Sequence, residues 1–207
     1  MELLLIRHGL PVRRELSDGI ADPELAEDGR TQARLLAEYL ATEELSAIYS
    51  SPLRRAVQTA EPLAAVHSLP LRVVDGVAES DRNSSEYVPV EELKAAGDPR
   101  WEAMVAGTYA LGEETPEVFR GRVVGAIEAL IDAHPGDRIA VSCHAGVINA
   151  YLGQVLDLPV GKWVCHPGYT SIHRVAASRR GHRNVVTMNE IAHLRGSGLT
   201  IAPGMVG

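Results

Sequence analysis

The sequence predicts an α/β fold: a three-layer sandwich with a mainly parallel central sheet, helices on both faces and a small helical insertion. Short apolar runs alternate along the chain with longer segments of helical periodicity, which is typical of such a sheet. Two of the runs end in a histidine that is followed within two residues by a glycine. The length of 207 residues, 45% of them hydrophobic, suffices for one sizeable core and a modest insertion.

The first half of the chain predicts three strands and two helices. A polar loop over 10–25 is too long for a simple connector, which indicates a functional loop. Pro62 lies within the second helix, where it predicts a kink or an early end. From periodicity and breakers, the predicted strands are 2–7, 47–49 and 71–74, and the predicted helices are 27–42 and 53–67.

The second half begins with the insertion over 80–114, where weak periodicity and several glycines and prolines predict one or two short helices. Thr115 and Pro116 then supply the cap and first turn of a long helix. The remaining elements are helices over 115–134 and 145–156 and strands over 138–143, 171–175 and 183–188, the last two forming an antiparallel pair at one edge. We predict one domain over 1–195 and a flexible tail over 196–207.

Charge and composition exclude several classes of partner. The net charge of −7 argues against nucleic acid, which requires a basic surface. No apolar run is long enough to cross a bilayer, and the short apolar run after Glu2 does not form a signal peptide. Two cysteines give neither a disulfide framework nor a metal-binding spacing, so the expected compartment is the cytoplasm. The sequence leaves a homodimer open.

Chemistry-bearing side chains follow three of the predicted strands. Arg7, His8 and Gly9 end the first strand, Arg55 follows the second, and His144 follows the strand over 138–143. Because the carboxyl ends of parallel strands meet at one edge, we expect these side chains to converge. A histidine held beside fixed cations at such an edge indicates a nucleophile aimed at an anion.

The same stretches resemble the histidine phosphatase (phosphoglycerate mutase-like) superfamily. The matching segments occur in the family's order and are LIRHG at 5–9, LAEDGRTQA at 25–33, SSPLRRAVQTA at 50–60, VAE at 77–79 and VSCHAGVI at 141–148. The resemblance implies that His8 takes the phosphoryl group as a covalent phosphohistidine. It further implies that Arg7, Arg55 and a protonated His144 hold the three non-bridging oxygens of the phosphate.

The resemblance also implies a general acid, Glu79, which would protonate the leaving oxygen and then activate a water molecule. To act as an acid near neutral pH, its carboxyl needs a pKa raised by burial or by a nearby anion. The aromatic-acid-glycine sequence that often follows this glutamate in the family is absent here. Asp81 and Glu86 therefore remain open as alternative acids.

Further phosphate contacts are expected from Gly9, Ala145 and Arg14. Gly9 allows a close approach of the ligand to the backbone, and Ala145 stands where many members have the first of two glycines. Pro11 and Arg14 occupy positions where many members carry a hydroxyl residue and an asparagine. Since Pro11 has no N–H to donate, we expect Arg14, or Arg13, to supply a charge in place of the lost donors.

The chemistry implied by the resemblance needs no metal and no cofactor, because the arginines supply the positive charge. Six further histidines are too scattered for a ligand set, and His166, beside Pro167 and Gly168, is the one expected at the rim of the pocket. Arg54 is expected to face solvent or to contact substrate.

We therefore predict a metal-independent phosphomonoesterase that acts through a phosphohistidine on a small phosphorylated metabolite. The insertion over 80–114 is shorter than in mutases of this superfamily, and a more open lid favours water as the phosphoryl acceptor. Two alternatives remain, namely a phosphoglycerate mutase-type phosphotransferase and a phosphate-binding protein with little turnover.

Overall fold

In a computed structural model, which describes residues 1–106 and 114–199, the elements follow the predicted order. The strands are β1 (Glu2–Arg7), β2 (Arg14–Glu15), β3 (Ala47–Ser50), β4 (Leu71–Val73), β5 (Glu86–Tyr87), β6 (Arg138–Cys143), β7 (Ile172–Ala177) and β8 (Arg183–Glu190). The helices are α1 (Glu27–Tyr39), α2 (Arg54–His67), α3 (Val90–Ala95), α4 (Pro99–Ala106), α5 (Pro116–Ala133) and α6 (Ala145–Val155), with single 3₁₀ turns at Asp75–Val77 and Ala192–Leu194.

Six strands form one sheet in the order β4-β3-β6-β1-β7-β8. The first four in this order are parallel, whereas β7 pairs antiparallel with β1 and β8 pairs antiparallel with β7, which confirms the predicted pair at one edge. Arg7 lies opposite Cys143, and Ser50 lies opposite Ser142. The three central parallel strands therefore end level with one another at the same edge of the sheet.

Both faces of the sheet are buried under helices. In β1, Leu3 and Leu5 join a core cluster with α5 and α6, while Leu4 and Ile6 join a second cluster with α1 and α2. This division follows from the alternation of side chains along a strand. The two clusters confirm the predicted three-layer sandwich.

The helix α2 runs past Pro62 to His67, so the expected early end at this proline is wrong. A proline inside a helix removes one backbone hydrogen bond. Ala60, Leu63 and Ala64 are buried on either side of it and pack in the cluster shared with α1. This burial of apolar surface offsets the lost bond, which local sequence reasoning does not take into account.

The loop over 10–25 and the insertion pair with each other near the carboxyl edge of the sheet. The two-residue strands β2 and β5 are antiparallel, with Arg14 opposite Tyr87. The insertion contains the two short helices α3 and α4, in agreement with the prediction. Residues 107–113 of the insertion and 200–207 of the predicted tail lie outside the described residues. Over residues 1–106 and 114–199, no helix combines the length and the apolar character that a membrane crossing requires.

Candidate active site

His8 lies at the carboxyl edge of the sheet, directly after β1, and is buried. Its Nδ1 is 2.7 Å from the carbonyl oxygen of Gly9. Because a carbonyl only accepts hydrogen bonds, Nδ1 carries the ring proton and Nε2 keeps its lone pair. Burial, and then the charges of Arg55 and Arg7, hold the pKa of His8 well below 6.5. His8 is therefore a neutral imidazole whose Nε2 can act as a nucleophile.

Gly9 holds this histidine in place through its backbone. Its N–H donates to the Thr59 hydroxyl at 2.9 Å, and a Cβ at this position would lie 2.7 Å from the carbonyl oxygen of Gly29. The backbones thus approach so closely that a side chain here would force one of them to move. The amide of Gly9, which the sequence assigned to phosphate, is used within the fold, and its carbonyl sets the tautomer of His8.

Two buried arginines flank His8. Arg7 donates to the carbonyl oxygen of Pro167 at 2.7 Å, and its guanidinium lies 4.1 Å from the centre of the Tyr169 ring. Arg55 donates from Nη2 to both carboxylate oxygens of Asp81, at 3.0 and 3.3 Å. These contacts fix both guanidinium groups while leaving other N–H groups of each fork available to a ligand.

His144 lies beside His8, with the two ring centres 5.2 Å apart. Its Nε2 is 2.7 Å from the Ser51 hydroxyl, which also accepts the N–H of Leu53 at 3.3 Å. Burial, and then Arg55, His8 and Arg7, hold the pKa of His144 well below 6.5, so the ring is neutral here, in contrast to the protonated form expected from the sequence. The Ser51 hydroxyl hydrogen then donates to Nε2, and the ring proton lies on Nδ1.

Three of these side chains carry buried donors that have no protein partner within residues 1–106 and 114–199, namely Arg7 Nε, Arg55 Nε and His144 Nδ1. Unpaired buried polar groups are rare because each costs free energy. All three belong to the residues that surround His8. A phosphoryl group attached to or approaching His8 would supply the oxygens that these donors lack.

The three candidate acids lie in different environments. Glu79 is buried, and its carboxylate accepts the N–H of Ser80 at 3.0 Å and that of Gly146 at 2.8 Å. Burial, and then the Asp81 carboxylate, raise the pKa of Glu79. Asp81 is paired with Arg55, whereas Glu86 is exposed and lies 2.7 Å from an arginine of the insertion. Among the three, Glu79 has the environment of a protonated carboxyl group.

A cavity of about 300 Å³ opens at this edge of the sheet. Arg7, His8, Arg55, Glu79 and Ala145 line its inner end. The outer end is formed largely by the insertion and by the loop before β7, with a mixed apolar and polar wall that includes Tyr87, Val90, Leu93, Arg100 and Trp163. In the described part of the chain, no group of three or more His, Cys, Asp or Glu side chains is arranged to hold a metal ion.

The structure does not bring Arg14 to this cavity. Arg14 is not among the residues that line the cavity, and its Nη2 donates to Glu24 at 2.7 Å, so it does not replace the missing phosphate donors as the sequence predicted. The alternative, Arg13, is exposed and bonds to Glu15 and Glu92.

Two further residues lie at the outside of the site. Arg54 is half-exposed, as predicted, and pairs with Glu24 at 3.1 Å. His166 stacks on Trp163, which lines the cavity, with the ring centres 5.5 Å apart. His166 therefore lies next to a residue of the cavity wall.

Sequence reasoning missed Ser51, Thr59 and Tyr169, which hold the site residues in place. Ser51 bonds to His144, Thr59 bonds to Gly9, and Tyr169 lies under the Arg7 guanidinium. Ser51 and Thr59 lie within the matching stretch at 50–60, so the sequence already offered their hydroxyls as candidate hydrogen-bond partners of the site residues. Tyr169 follows a loop that carries no recognisable pattern.

A family model described as the histidine phosphatase superfamily, branch 1, matches residues 3–191. The chain belongs to this superfamily. The match spans the sheet from β1 to β8 and includes every residue of the site described above. It confirms the family that the sequence motifs indicated.

The relatives of this histidine phosphatase include named phosphatases. The chain is 30% identical over 207 residues to phosphoserine phosphatase 1 of Hydrogenobacter thermophilus, covering 94% of each chain. A solved structure of the mycobacterial glucosyl-3-phosphoglycerate phosphatase with inorganic phosphate is 26% identical, with a TM-score of 0.72 over 92% of this chain and 98% of that one. These matches confirm the predicted class of phosphoric monoester hydrolase.

A further solved structure supports the fold of this histidine phosphatase. The phosphoserine phosphatase of Entamoeba histolytica, in complex with 3-phosphoglyceric acid, is 24% identical and has a TM-score of 0.75 over 93% of this chain and 98% of that chain. The agreement over nearly the full length of both chains confirms the α/β architecture.

The contact between Gly146 and Glu79 generates a prediction about catalysis. A Cβ at Gly146 would lie 2.9 Å from Glu79 Cδ, so Gly146→Ala displaces the carboxylate. Because the displaced group is the end of a side chain and not backbone, we expect thermal stability to fall only modestly, through the loss of its hydrogen bonds to the N–H groups of Ser80 and Gly146. We expect kcat/KM for an alkyl phosphate to fall about tenfold or more, since a displaced acid protonates poorly.

The matched control is Gly153→Ala on the same helix, where the nearest atom to a new Cβ is a carbonyl oxygen at 3.9 Å. This variant should keep wild-type activity. Equal activity of the Gly146 and Gly153 variants would show that the position of Glu79 is not set by this contact.

Proposed function

We propose that this chain hydrolyses small phosphate monoesters in two steps, with His8 as the nucleophile, Glu79 as the acid and base, and water as the final acceptor. The observation that carries the proposal is the neutral, buried His8, whose free Nε2 is surrounded by three side chains with unpaired buried donors. Phosphoryl transfer depends mainly on positioning and on charge stabilisation, and this arrangement supplies both.

In the first step, Nε2 of His8 attacks phosphorus while the bond from phosphorus to the leaving oxygen breaks. Arg7, Arg55 and His144 Nδ1–H donate to the non-bridging oxygens and stabilise the charge of the transition state. Glu79 gives its proton to the leaving oxygen, so the alcohol departs neutral. His8 then carries the phosphoryl group on Nε2, and its Nδ1–H keeps donating to the Gly9 carbonyl oxygen.

In the second step, the Glu79 carboxylate takes a proton from a water molecule, whose oxygen attacks phosphorus as the bond to Nε2 breaks. Inorganic phosphate leaves, and both His8 and Glu79 return to their starting protonation states. The alternative acids fit this cycle less well. Asp81 is committed to the Arg55 guanidinium, and Glu86 is solvent-exposed, so neither has the buried environment that favours a protonated carboxyl.

The proposed substrates are phosphate esters of small hydroxy acids or amino acids. The volume of the cavity, about 300 Å³, suits a small metabolite. Its outer end carries an ion pair between Arg100 and Glu86 at 2.7 Å, which offers charge of both signs to a leaving group with ionic groups of its own. Phosphoserine and glucosyl-3-phosphoglycerate, named for the relatives, belong to this class. We place the reaction in a reducing cytoplasm, which the free thiols of Cys143 and Cys165 support.

A mutase-type phosphotransferase is the second candidate. A relative named as a probable phosphoglycerate mutase of Yersinia pestis is 26% identical over 165 residues. The two functions give different products from 3-phosphoglycerate in the presence of a bisphosphoglycerate primer. Hydrolysis releases inorganic phosphate, whereas a mutase forms the 2-phosphate isomer without net release.

The direct test of the proposal is phosphate release from phosphoserine, 3-phosphoglycerate and p-nitrophenyl phosphate in EDTA. We expect the wild-type chain to turn over at least one ester, and His8→Ala to lose activity by about 10³-fold or more, because the nucleophile is gone. Wild-type protein that releases no phosphate from any ester, or a His8→Ala variant with near wild-type rates, would refute the proposal.

The shifted pKa values predict the pH profile of kcat/KM for an alkyl phosphate. The His8 nucleophile is active when neutral, so activity is lost only as the pH falls through its pKa, which lies well below 6.5. The Glu79 acid is active when protonated, so activity is lost as the pH rises through its pKa, which lies above 4.5. We therefore expect a bell-shaped profile, in which activity is lost on the acid side as His8 is protonated and on the alkaline side as Glu79 loses its proton.

The Glu79→Gln variant tests the assignment of the high-pH limb. Both enzymes are measured on the same ester, so that ionisation of the substrate affects the two pH profiles equally. We expect Glu79→Gln to have a low kcat/KM and to lose the fall in activity at high pH that comes from deprotonation of Glu79. A variant that keeps the wild-type limb would assign the acid to another group.

A further inference from the structure

Arg122, on α5, makes four hydrogen bonds next to the segment that leads into Glu79. Its Nε and Nη2 both bond to the carboxylate of Glu114, the former at 2.8 Å, and its Nη1 donates to the carbonyl oxygens of Gly76 and Ala78 at 3.0 Å each. The side chain of Arg122 is only 17% exposed. One guanidinium group therefore connects the Glu114 carboxylate to two backbone carbonyls in the segment that leads into the proposed acid, Glu79.

The held segment lies directly on α5. Val77 is buried in the core cluster that includes Val123 and Ile127 of this helix. At Gly76 there is no room for a side chain, because a Cβ would overlap that of Ala126. Residues 76–78 are therefore held against α5 both by core packing and by the two hydrogen bonds from Arg122.

The Ala78 carbonyl belongs to the peptide group that joins Ala78 to Glu79. Since a peptide group is planar, a bond to this oxygen fixes the direction in which the chain enters Glu79. The other end of Glu79, its carboxylate, is held by the N–H groups of Ser80 and of Gly146 in the first turn of α6. Glu79 is therefore fixed at its backbone by α5 and at its carboxylate by α6.

We propose that Arg122 is a positioning residue for proton transfer, which acts through the backbone of Glu79 and with Glu114 as its counter-ion. The inference rests on the proposed function, in which Glu79 is the acid. A guanidinium is required, since its planar fork bonds to the carboxylate and to the two carbonyls at once, which an ammonium group cannot do with the same geometry. Without the guanidinium group of Arg122, the backbone before Glu79 becomes more mobile, and the Glu79 carboxyl shifts relative to the leaving oxygen.

The test compares two esters that differ in their need for an acid. An alkyl phosphate such as phosphoserine expels a basic alkoxide, which needs the proton of Glu79, whereas p-nitrophenyl phosphate expels a stabilised phenolate that leaves without one. We expect Arg122→Gln to lower kcat/KM about tenfold or more for the alkyl ester and less than about threefold for the aryl ester. Arg122→Lys should show the same selective loss, because charge without the fork does not restore the geometry.

Arg183 provides a matched structural control at the start of β8. Its Nε and Nη2 bond to the Glu128 carboxylate, and its Nη1 donates to the carbonyl oxygens of Ser178 and His182 at 2.9 and 3.0 Å. Its side chain is 15% exposed, close to the value for Arg122. Arg183→Gln removes an equivalent set of bonds away from the cavity, so it should affect the two esters equally, whatever it does to stability.

A double variant makes the test specific to Glu79. If Arg122 acts through Glu79, then adding Arg122→Gln to Glu79→Gln should cost less than about twofold more on the alkyl ester, since the residues act as one unit. If Arg122→Gln does not fold, Glu114→Gln, which keeps the arginine and removes its counter-ion, should show a smaller loss with the same preference for the alkyl ester.

Equal losses on both esters, or additive losses in the double variant, would overturn the inference and leave Arg122 a structural residue. That result differs from failure of the proposed function, in which the wild-type chain itself would hydrolyse neither ester.

Discussion

The hydrogen bond between His8 Nδ1 and the carbonyl oxygen of Gly9 is the interaction on which the site depends. It fixes the tautomer, so that the nitrogen with the lone pair is the one that can reach phosphorus. The bond requires a sharp turn after β1, and the turn requires the close packing of Gly9 on Gly29. Burial beside Arg7 and Arg55 then disfavours protonation of the ring, which would abolish its nucleophilicity. In the proposed reaction, the same two arginines prepare the nucleophile and bind the group that it attacks.

The buried guanidinium groups of Arg7 and Arg55 place positive charge at the site, although the chain has a net charge of −7. Asp81 pairs with Arg55 and at the same time raises the pKa of Glu79, so one carboxylate both offsets a cation and favours the protonated form of the Glu79 carboxyl. Electrostatic groups that are fixed before the reaction need no rearrangement as charge develops in the transition state. The neutral state of His144 fits the same pattern, because Nδ1–H offers a hydrogen-bond donor without adding a further buried charge.

The sequence predicted the sheet and the centre of the site because both rest on local patterns that survive folding. Apolar runs gave the strands, and the parallel register brought Arg7, His8 and His144 to one edge. Arg14 could not be placed from sequence, because its ion pair with Glu24 depends on how a long loop folds back on itself. Tyr169 and Arg122 were missed for the same reason, since each contacts the site across large sequence separations. At Pro62 the sequence left a kink or an early end open within a helix over 53–67, and the helix continues to His67 because tertiary burial outweighs one lost hydrogen bond.

The covalent phosphohistidine is the central claim, and trapping it is the most direct measurement. The chain is mixed with a ³²P-labelled ester and quenched within the first turnover in alkali, in which phosphohistidine survives and an acyl phosphate does not. The account predicts label on the protein at the peptide that contains His8, and a labelled fraction that rises in Glu79→Gln, where water attack on the phosphohistidine is slowed more than its formation from p-nitrophenyl phosphate. Phosphate release at the wild-type rate with no label on His8 would contradict it, because the phosphoryl group would then pass to water without the histidine.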